Sequence, residues 1–241
     1  MSEMTTHESV GGSAVQDGFR LSPQQLNYFH TFGYLKLPGL FKNDIQRLID
    51  GFEEVYAKQP PDRVITEDPL QETDNETFQD RRRSIIYNIV DKSDNLRWLT
   101  SDPRILAIVN GIVGENWEAR PTDGHIFHCD TSWHPDMGSD NRFRLKLSFY
   151  LDRQRADSGA IRLIPGSQFH EGDYARTLLD KLYGSPKKVK ESLGIEADTV
   201  PCSIIETDPG DLLCWNFRTF HATFHGFDRR RLFSMTYCAQ A

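Results

Sequence analysis

From Trp117 onward the chain is a succession of short apolar runs broken by Gly, Pro, Asp and Asn, and no other feature limits its fold as much. Strand-length runs occur at Ile126 to Asp130, Arg144 to Leu151, Ala160 to Ile164, Cys202 to Glu206, Asp211 to Trp215 and Leu232 to Cys238. Many short strands leave many open edges, and a double sheet curled into a barrel closes them most economically. The expected fold class is therefore mainly β with supporting α-helices. The stretch from Tyr174 to Thr199 is helical in pattern and lysine-rich, so it should lie outside the barrel.

The supporting helices are written ahead of the strands. Ser22-Pro23 offers an N-cap followed by proline at the first helical position, and Leu26, Phe29 and Phe32 form a stripe that stops at Gly33. Tyr34 to Leu37 alternates as a strand closed by Pro38-Gly39. Ile45, Leu48, Ile49, Phe52 and Val55 recur at helical spacing, and Pro103 to Val113 is helical up to Gly114. Ser84 to Val90 reads as a strand, whereas Gln59 to Asp80 is polar, acidic and proline-containing, and is expected to be a loop or lid. Residues 1–20 carry no hydrophobic periodicity and are expected to be a tail preceding one domain over 21–241.

Charge and composition exclude several function classes. With 35 acids against 28 bases the formal charge is −7, which gives no attraction to phosphate backbones or anionic membranes. Nucleic acid and membrane are thus not expected partners, and a small-molecule substrate is. No apolar run approaches the roughly 20 residues of a membrane span, and Met1 to Val15 lacks the basic start and apolar centre of a signal peptide. A cytoplasmic location is expected. Cys129, Cys202, Cys214 and Cys238 are widely spaced with no CxxC pair, the pattern of free thiols. Oligomeric state is not readable from the sequence.

Among the histidines, His128 and Asp130 stand at i and i+2, where an extended strand directs both side chains to one side. With His221 they make two imidazoles and one carboxylate, the set with which non-haem Fe(II) oxygenases hold one face of a metal and leave the other open. His125 falls on the opposite strand face and Cys129 points away by alternation. Thr131 to Asp136 continues directly from the ligand pair and should form the rim of the site, with Trp133 or His134 meeting substrate.

The segment Asp157-Ser158-Gly159-Ala160-Ile161-Arg162-Leu163-Ile164-Pro165-Gly166-Ser167-Gln168 closely resembles the NGPLRVIPGSH segment of the phytanoyl-CoA dioxygenase family of Fe(II)- and 2-oxoglutarate-dependent oxygenases. Further marks occur in order: GYLKLPGLF from Gly33, a His-x-Asp motif taken as His128-Cys129-Asp130, PGDLLCW at Pro209 to Trp215, and a distal histidine followed by an arginine. The resemblance spans Leu21 to Tyr237 and implies a double-stranded β-helix, the cupin-like jelly roll, with the metal in the mouth of the barrel. It implies Fe(II) as cofactor and 2-oxoglutarate and O2 as cosubstrates. The far carboxylate of 2-oxoglutarate is costly to bury unpaired, so a fixed bidentate cation is required, and arginine is suited to it. In the family this arginine follows the distal histidine by about ten residues. Arg229, Arg230 and Arg231 all lie near that distance; counting favours Arg231, and alternation puts Arg229 and Arg231 on one face and Arg230 on the other. Thr223 matches a family position where a hydroxyl helps hold the cosubstrate, and Lys146 and Ser148 on the preceding strand can also reach it.

The resulting expectation is hydroxylation, or another oxidation such as desaturation or ring closure, at an unactivated C–H bond of a small metabolite, of the kind met in secondary metabolism. The resemblance does not identify the substrate. The alternatives are a cupin-like metal enzyme that needs no keto acid, and a non-catalytic binding protein on the same barrel.

Overall fold

The computed structural model describes residues 18–66, 83–136, 142–226 and 229–240. Most of the expected N-terminal tail and of the expected loop up to Asp80 lies outside them.

The first elements follow their sequence signals closely. In α1 (Pro23–Phe32), Ser22 and Gln25 form a reciprocal capping box, and Gly33 ends the helix at φ 83°. A Cβ at Gly33 would lie 2.5 Å from the Gln168 side-chain oxygen, so a side chain is excluded there for two reasons at once. β1 (Tyr34–Leu37) follows, then α2 (Ile45–Lys58) with Leu48, Phe52 and Val55 buried. A short β2 (Arg63–Ile65) lies within the segment expected to be loop. β3 (Arg83–Tyr87) ends sooner than expected, at the left-handed residue Asn88 and a 3-10 turn. A short α3 (Asp94–Arg97) precedes α4 (Pro103–Val113), whose N-cap Asp102 accepts from the backbone N–H groups of Arg104 and Ile105.

The remaining strands are β4 (Trp117–Phe127), β5 (Thr131–His134), β6 (Arg144–Tyr150), β7 (Ile161–Leu163), β8 (Ser203–Ile205), β9 (Leu212–Asn216), β10 (His221–Thr223) and β11 (Arg230–Ala239). Helices α5 (Asp173–Leu182) and α6 (Pro186–Leu193) fill the predicted helical insertion. Among the described residues the strands form two antiparallel sheets, of order β1-β9-β6-β11-β4-β3-β2 and β5-β10-β7-β8, the jelly-roll arrangement expected from the sequence.

Alternation sorts the side chains into layers. On the outer face of the large sheet, Leu147, Phe149, Cys214, Phe233, Met235 and Tyr237 pack with α1, α2 and α4 residues in the main core. On its inner face, Tyr150, Leu213 and Trp215 meet Ile161 and Leu163 of the small sheet. The outer face of the small sheet is covered by the insertion, where Trp133, Phe220 and Phe224 pack with Leu182 and Val189. Each fully buried residue of this size contributes about 1.5–3 kcal/mol, so the layers hold the sheets apart at fixed spacing and leave a cavity between them.

Candidate active site

The cavity, of about 190 Å³, is lined by side chains from both sheets, including Asp123, His125, His134, Asp136, Lys146, Tyr150, His221, Thr223 and Arg230. His134, Asp136 and His221 each offer one ligand atom, and these atoms lie within 4.8 Å of one another. His221 opens β10 directly across from His134 at the end of β5, with ring centroids 4.2 Å apart.

A β-bulge makes this possible. His134 pairs with His221 and Thr131 with Thr223, so three steps along β5 match two along β10. The extra residue lets Thr131 and His134, of opposite parity, both face the cavity while Trp133 faces out.

The protonation pattern suits metal binding. Nδ1 of His134 donates to the Ser132 carbonyl at 2.7 Å and Nδ1 of His221 to the Thr219 carbonyl at 3.0 Å, leaving each Nε2 with its lone pair. Burial, together with the neighbouring His134, pushes His221 down to about 3, so its ring is neutral. Burial works to raise Asp136, but the charge of Lys146 beside it outweighs burial and holds the carboxyl at about 2. Lys146 takes one carboxylate oxygen, Nζ to Oδ2 at 3.0 Å, while Oδ1 faces Nε2 of His134 at 3.9 Å. Two imidazoles that each present Nε2 and one ionised carboxylate fit a divalent metal of the non-haem iron kind.

The structure brings together a different set from the one the sequence suggested. His221 is common to both. β4 stops at Phe127, so His128 and Asp130 lie in the bend beyond it, where strand alternation no longer applies, and neither lines the cavity. The Asp130 carboxylate instead accepts from the backbone N–H groups of His225 and Gly226, at 3.0 and 2.8 Å. His125, placed on the far face from the sequence, lines the cavity with Asp123, its Nε2 3.2 Å from that carboxylate.

The arginine assignment also moves by one residue. Arg231 points to the outer face, where it pairs with Asp152 and with Glu53 at 2.7 Å, and Arg229 joins the same Glu53 at 3.0 Å. Arg230 is 4% exposed and faces the cavity with Leu232 and Ser234 of the same parity. Its guanidinium lies 3.4 Å from the Thr223 hydroxyl and 5.3 Å from the Phe127 ring.

Trp133 does not meet the cavity. It is 1% exposed, donates to the Ala197 carbonyl at 2.8 Å and packs in the core under the insertion. His134 belongs to the candidate metal cluster rather than to a substrate rim, and Lys146 is engaged with Asp136. Asp136 and Arg230 are the residues that sequence reading missed. Both left a signal: His134-Pro135-Asp136 repeats the His-x-Asp pattern, and Phe233, Met235 and Tyr237 are more apolar than Leu232, Ser234 and Thr236, which marks the parity of Arg231 as the core side.

The sequence profile of the phytanoyl-CoA dioxygenase (PhyH) family matches residues 29–231. No curated protein sequence matches the chain. Among solved structures, HygX from Streptomyces hygroscopicus with nickel and 2-oxoglutarate bound is 18% identical with a TM-score of 0.67, covering 92% of this chain and 88% of HygX. The non-haem α-ketoglutarate-dependent carbocyclase SnoK from nogalamycin biosynthesis is 17% identical with a TM-score of 0.66, covering 91% of this chain and 84% of SnoK. The epimerase SnoN, in complex with Fe3+, α-ketoglutarate and nogalamycin RO, is 15% identical with a TM-score of 0.65, covering 90% of this chain and 82% of SnoN. Among the described residues no helix is long and apolar enough to cross a membrane.

Proposed function

Because the chain belongs to the phytanoyl-CoA dioxygenase family, we propose that it is a 2-oxoglutarate-dependent oxygenase that oxidises a C–H bond of a small molecule, with hydroxylation as the first expected outcome. Fe(II) is held by His134, Asp136 and His221, and the far carboxylate of 2-oxoglutarate by Arg230 with Thr223. The observation that carries this reading is the convergence of a two-histidine, one-carboxylate cluster and a buried arginine on one cavity. Bound there, iron with 2-oxoglutarate and O2 supplies the oxidant that attacks an unactivated C–H bond, 2-oxoglutarate leaving as succinate and CO2.

The protein's own groups have separate tasks. The Ser132 and Thr219 carbonyls fix both imidazoles in the tautomer that presents Nε2. Lys146 keeps Asp136 ionised and occupies Oδ2, directing Oδ1 toward the cluster. Trp215 stacks edge-on against His221 at 4.4 Å and shields it from water. Along β10, Thr223 stands two residues from His221, about 7 Å along a strand, so a short dicarboxylate can reach from the cluster to Arg230.

A screen of candidate metabolites for succinate release tests this reading, run with Fe(II) and with 2-oxoglutarate present or omitted. Turnover is expected only with both, with a product that gains one oxygen atom. Turnover without 2-oxoglutarate would favour a cupin-like enzyme that uses no keto acid, and a metal-bound protein that releases no succinate would favour a binding protein. A product of unchanged oxygen content would point to desaturation, or to epimerisation or ring closure, the reactions named for SnoN and SnoK.

A further inference from the structure

The guanidinium of Arg230 sits in a slot assembled from three connections between strands. Nε donates to the Gly226 carbonyl at 3.2 Å, Nη1 to the Gly159 carbonyl at 3.0 Å, and Nη2 to the Cys129 carbonyl. Two glycines leave room for it. A Cβ at Gly159 would fall 2.7 Å from Arg230 Cδ, and one at Gly226 would fall 2.5 Å from Cζ. Gly159 also has φ +87°, whereas no left-handed φ constrains Gly226, so at position 226 only the arginine excludes a side chain.

Asp130 ties two of these connections together. Its carboxylate accepts from the N–H groups of His225 and Gly226, and the carbonyl of that same Gly226 accepts from Arg230 Nε. His225 is held at φ 65°, a left-handed conformation that is strained for a non-glycine residue and persists only where its surroundings over-determine it. The two backbone hydrogen bonds to Asp130 supply that determination together with the His225 ring, whose Nε2 lies 3.1 Å from Asp198 Oδ2. The slot therefore depends on a half-buried acidic residue that does not itself line the cavity.

We propose that Asp130 is a positioning residue for the cosubstrate: through the 225–226 turn it fixes the Arg230 guanidinium, and the bare backbone at Gly226 keeps open the slot in which that guanidinium lies. This rests on the reading of Arg230 as the partner of the far carboxylate of 2-oxoglutarate. A bidentate contact needs the planar fork aimed correctly, so tilting the guanidinium costs affinity even though its charge remains.

The test uses full-length Fe(II)-loaded protein without oxygen, with binding followed by the visible absorption that a 2-oxo acid gives on binding Fe(II). 2-Oxoglutarate is compared with pyruvate, which has the same keto-acid end but no far carboxylate. In Gly226→Ala the displaced atoms are the far end of a flexible side chain, so the fold should survive while the guanidinium moves. Its affinity for 2-oxoglutarate should fall about tenfold or more, with pyruvate binding and thermal midpoint unchanged. Asp130→Ala should act in the same direction, and Asp130→Asn, which keeps one acceptor, should fall between Asp130→Ala and the parent protein. The proposal is overturned if Gly226→Ala binds 2-oxoglutarate as the parent does while Arg230→Ala does not, or if both keto acids weaken together in Gly226→Ala. If Arg230→Ala itself keeps full 2-oxoglutarate affinity, the reading of Arg230 fails and the proposal falls with it.

Discussion

Two His-x-Asp segments lie six positions apart in this chain, His128-Cys129-Asp130 and His134-Pro135-Asp136, and the fold uses them for opposite purposes. The second presents its imidazole and carboxylate to His221. The first has its carboxylate turned to the backbone of the 225–226 turn. Composition and spacing are alike in the two. What differs is the local end of a strand: β4 has stopped before His128, whereas β5 carries His134 to a paired position across from His221. A ligand motif is thus defined by the strand that holds it, and the same residues one bend away become scaffold.

The largest expected contrast is in metal binding. His134→Ala, Asp136→Ala or His221→Ala should abolish turnover and remove tight Co(II) or Fe(II) binding by calorimetry, while His128→Ala keeps both. Tight metal binding in Asp136→Ala together with its loss in His128→Ala would reverse the assignment of the two segments.

The next contrast separates neighbouring arginines. Arg230→Ala leaves the far carboxylate of 2-oxoglutarate without its partner, a loss on the order of 2–5 kcal/mol or roughly tens- to thousands-fold in affinity. Arg231→Ala should leave that affinity unchanged and lower stability by about 1 kcal/mol, since it removes part-buried pairs with Asp152 and Glu53. Arg230→Lys, which restores charge without the fork, should recover only part of the binding.

A smaller effect is expected at Lys146. Lys146→Met removes the partner of Asp136 Oδ2 and should weaken metal affinity about 10- to 100-fold, the usual scale for a residue that orients a metal ligand. Unchanged metal affinity by titration would place Lys146 outside the ligand-orienting role.

The smallest contrast concerns metal-free protein and pH. His221 is held at about 3, below its ordinary 6.5, so between those values the unfolded chain binds a proton that the fold refuses. Stability then rises with pH across that window and is lost as pH falls from 6.5 toward 3. Asp136, held at about 2 against an ordinary 3.8, adds stability above 3.8 that is lost as pH falls through 2. Thermal midpoints of metal-free protein should decline accordingly, and His221→Asn should flatten the upper part of the slope. An equal slope in that variant would assign the acid sensitivity to other groups.

How much of this was legible beforehand differs between elements. Caps and glycine stops made α1 and α4 readable almost to the residue, because their signals are local and complete within one turn. β1, β6 and β9 were found within a residue or so, since each is a dense apolar run. β5 and β10 were not recognised as strands, being only four and three residues long and, apart from Trp133, built from polar or small side chains. Those two strands carry the histidines of the candidate metal cluster, so the least legible elements hold the proposed site.

The sequence by itself determined the fold class, the order of the helices and of most strands, the family and the kinds of residue the site would need, because these depend on periodicity, capping and short motifs. Tertiary structure alone decided which of two identical motifs faces His221 and which of three consecutive arginines faces the cavity. The physical reason is that side-chain direction along a strand has a period of two, so one bulge in β5 or a one-residue change of register in β11 reverses the outcome. Bulge and register are set by pairing with strands distant in the chain; the apolar parity of Phe233, Met235 and Tyr237 marks the register of β11, but nothing local marks the bulge in β5.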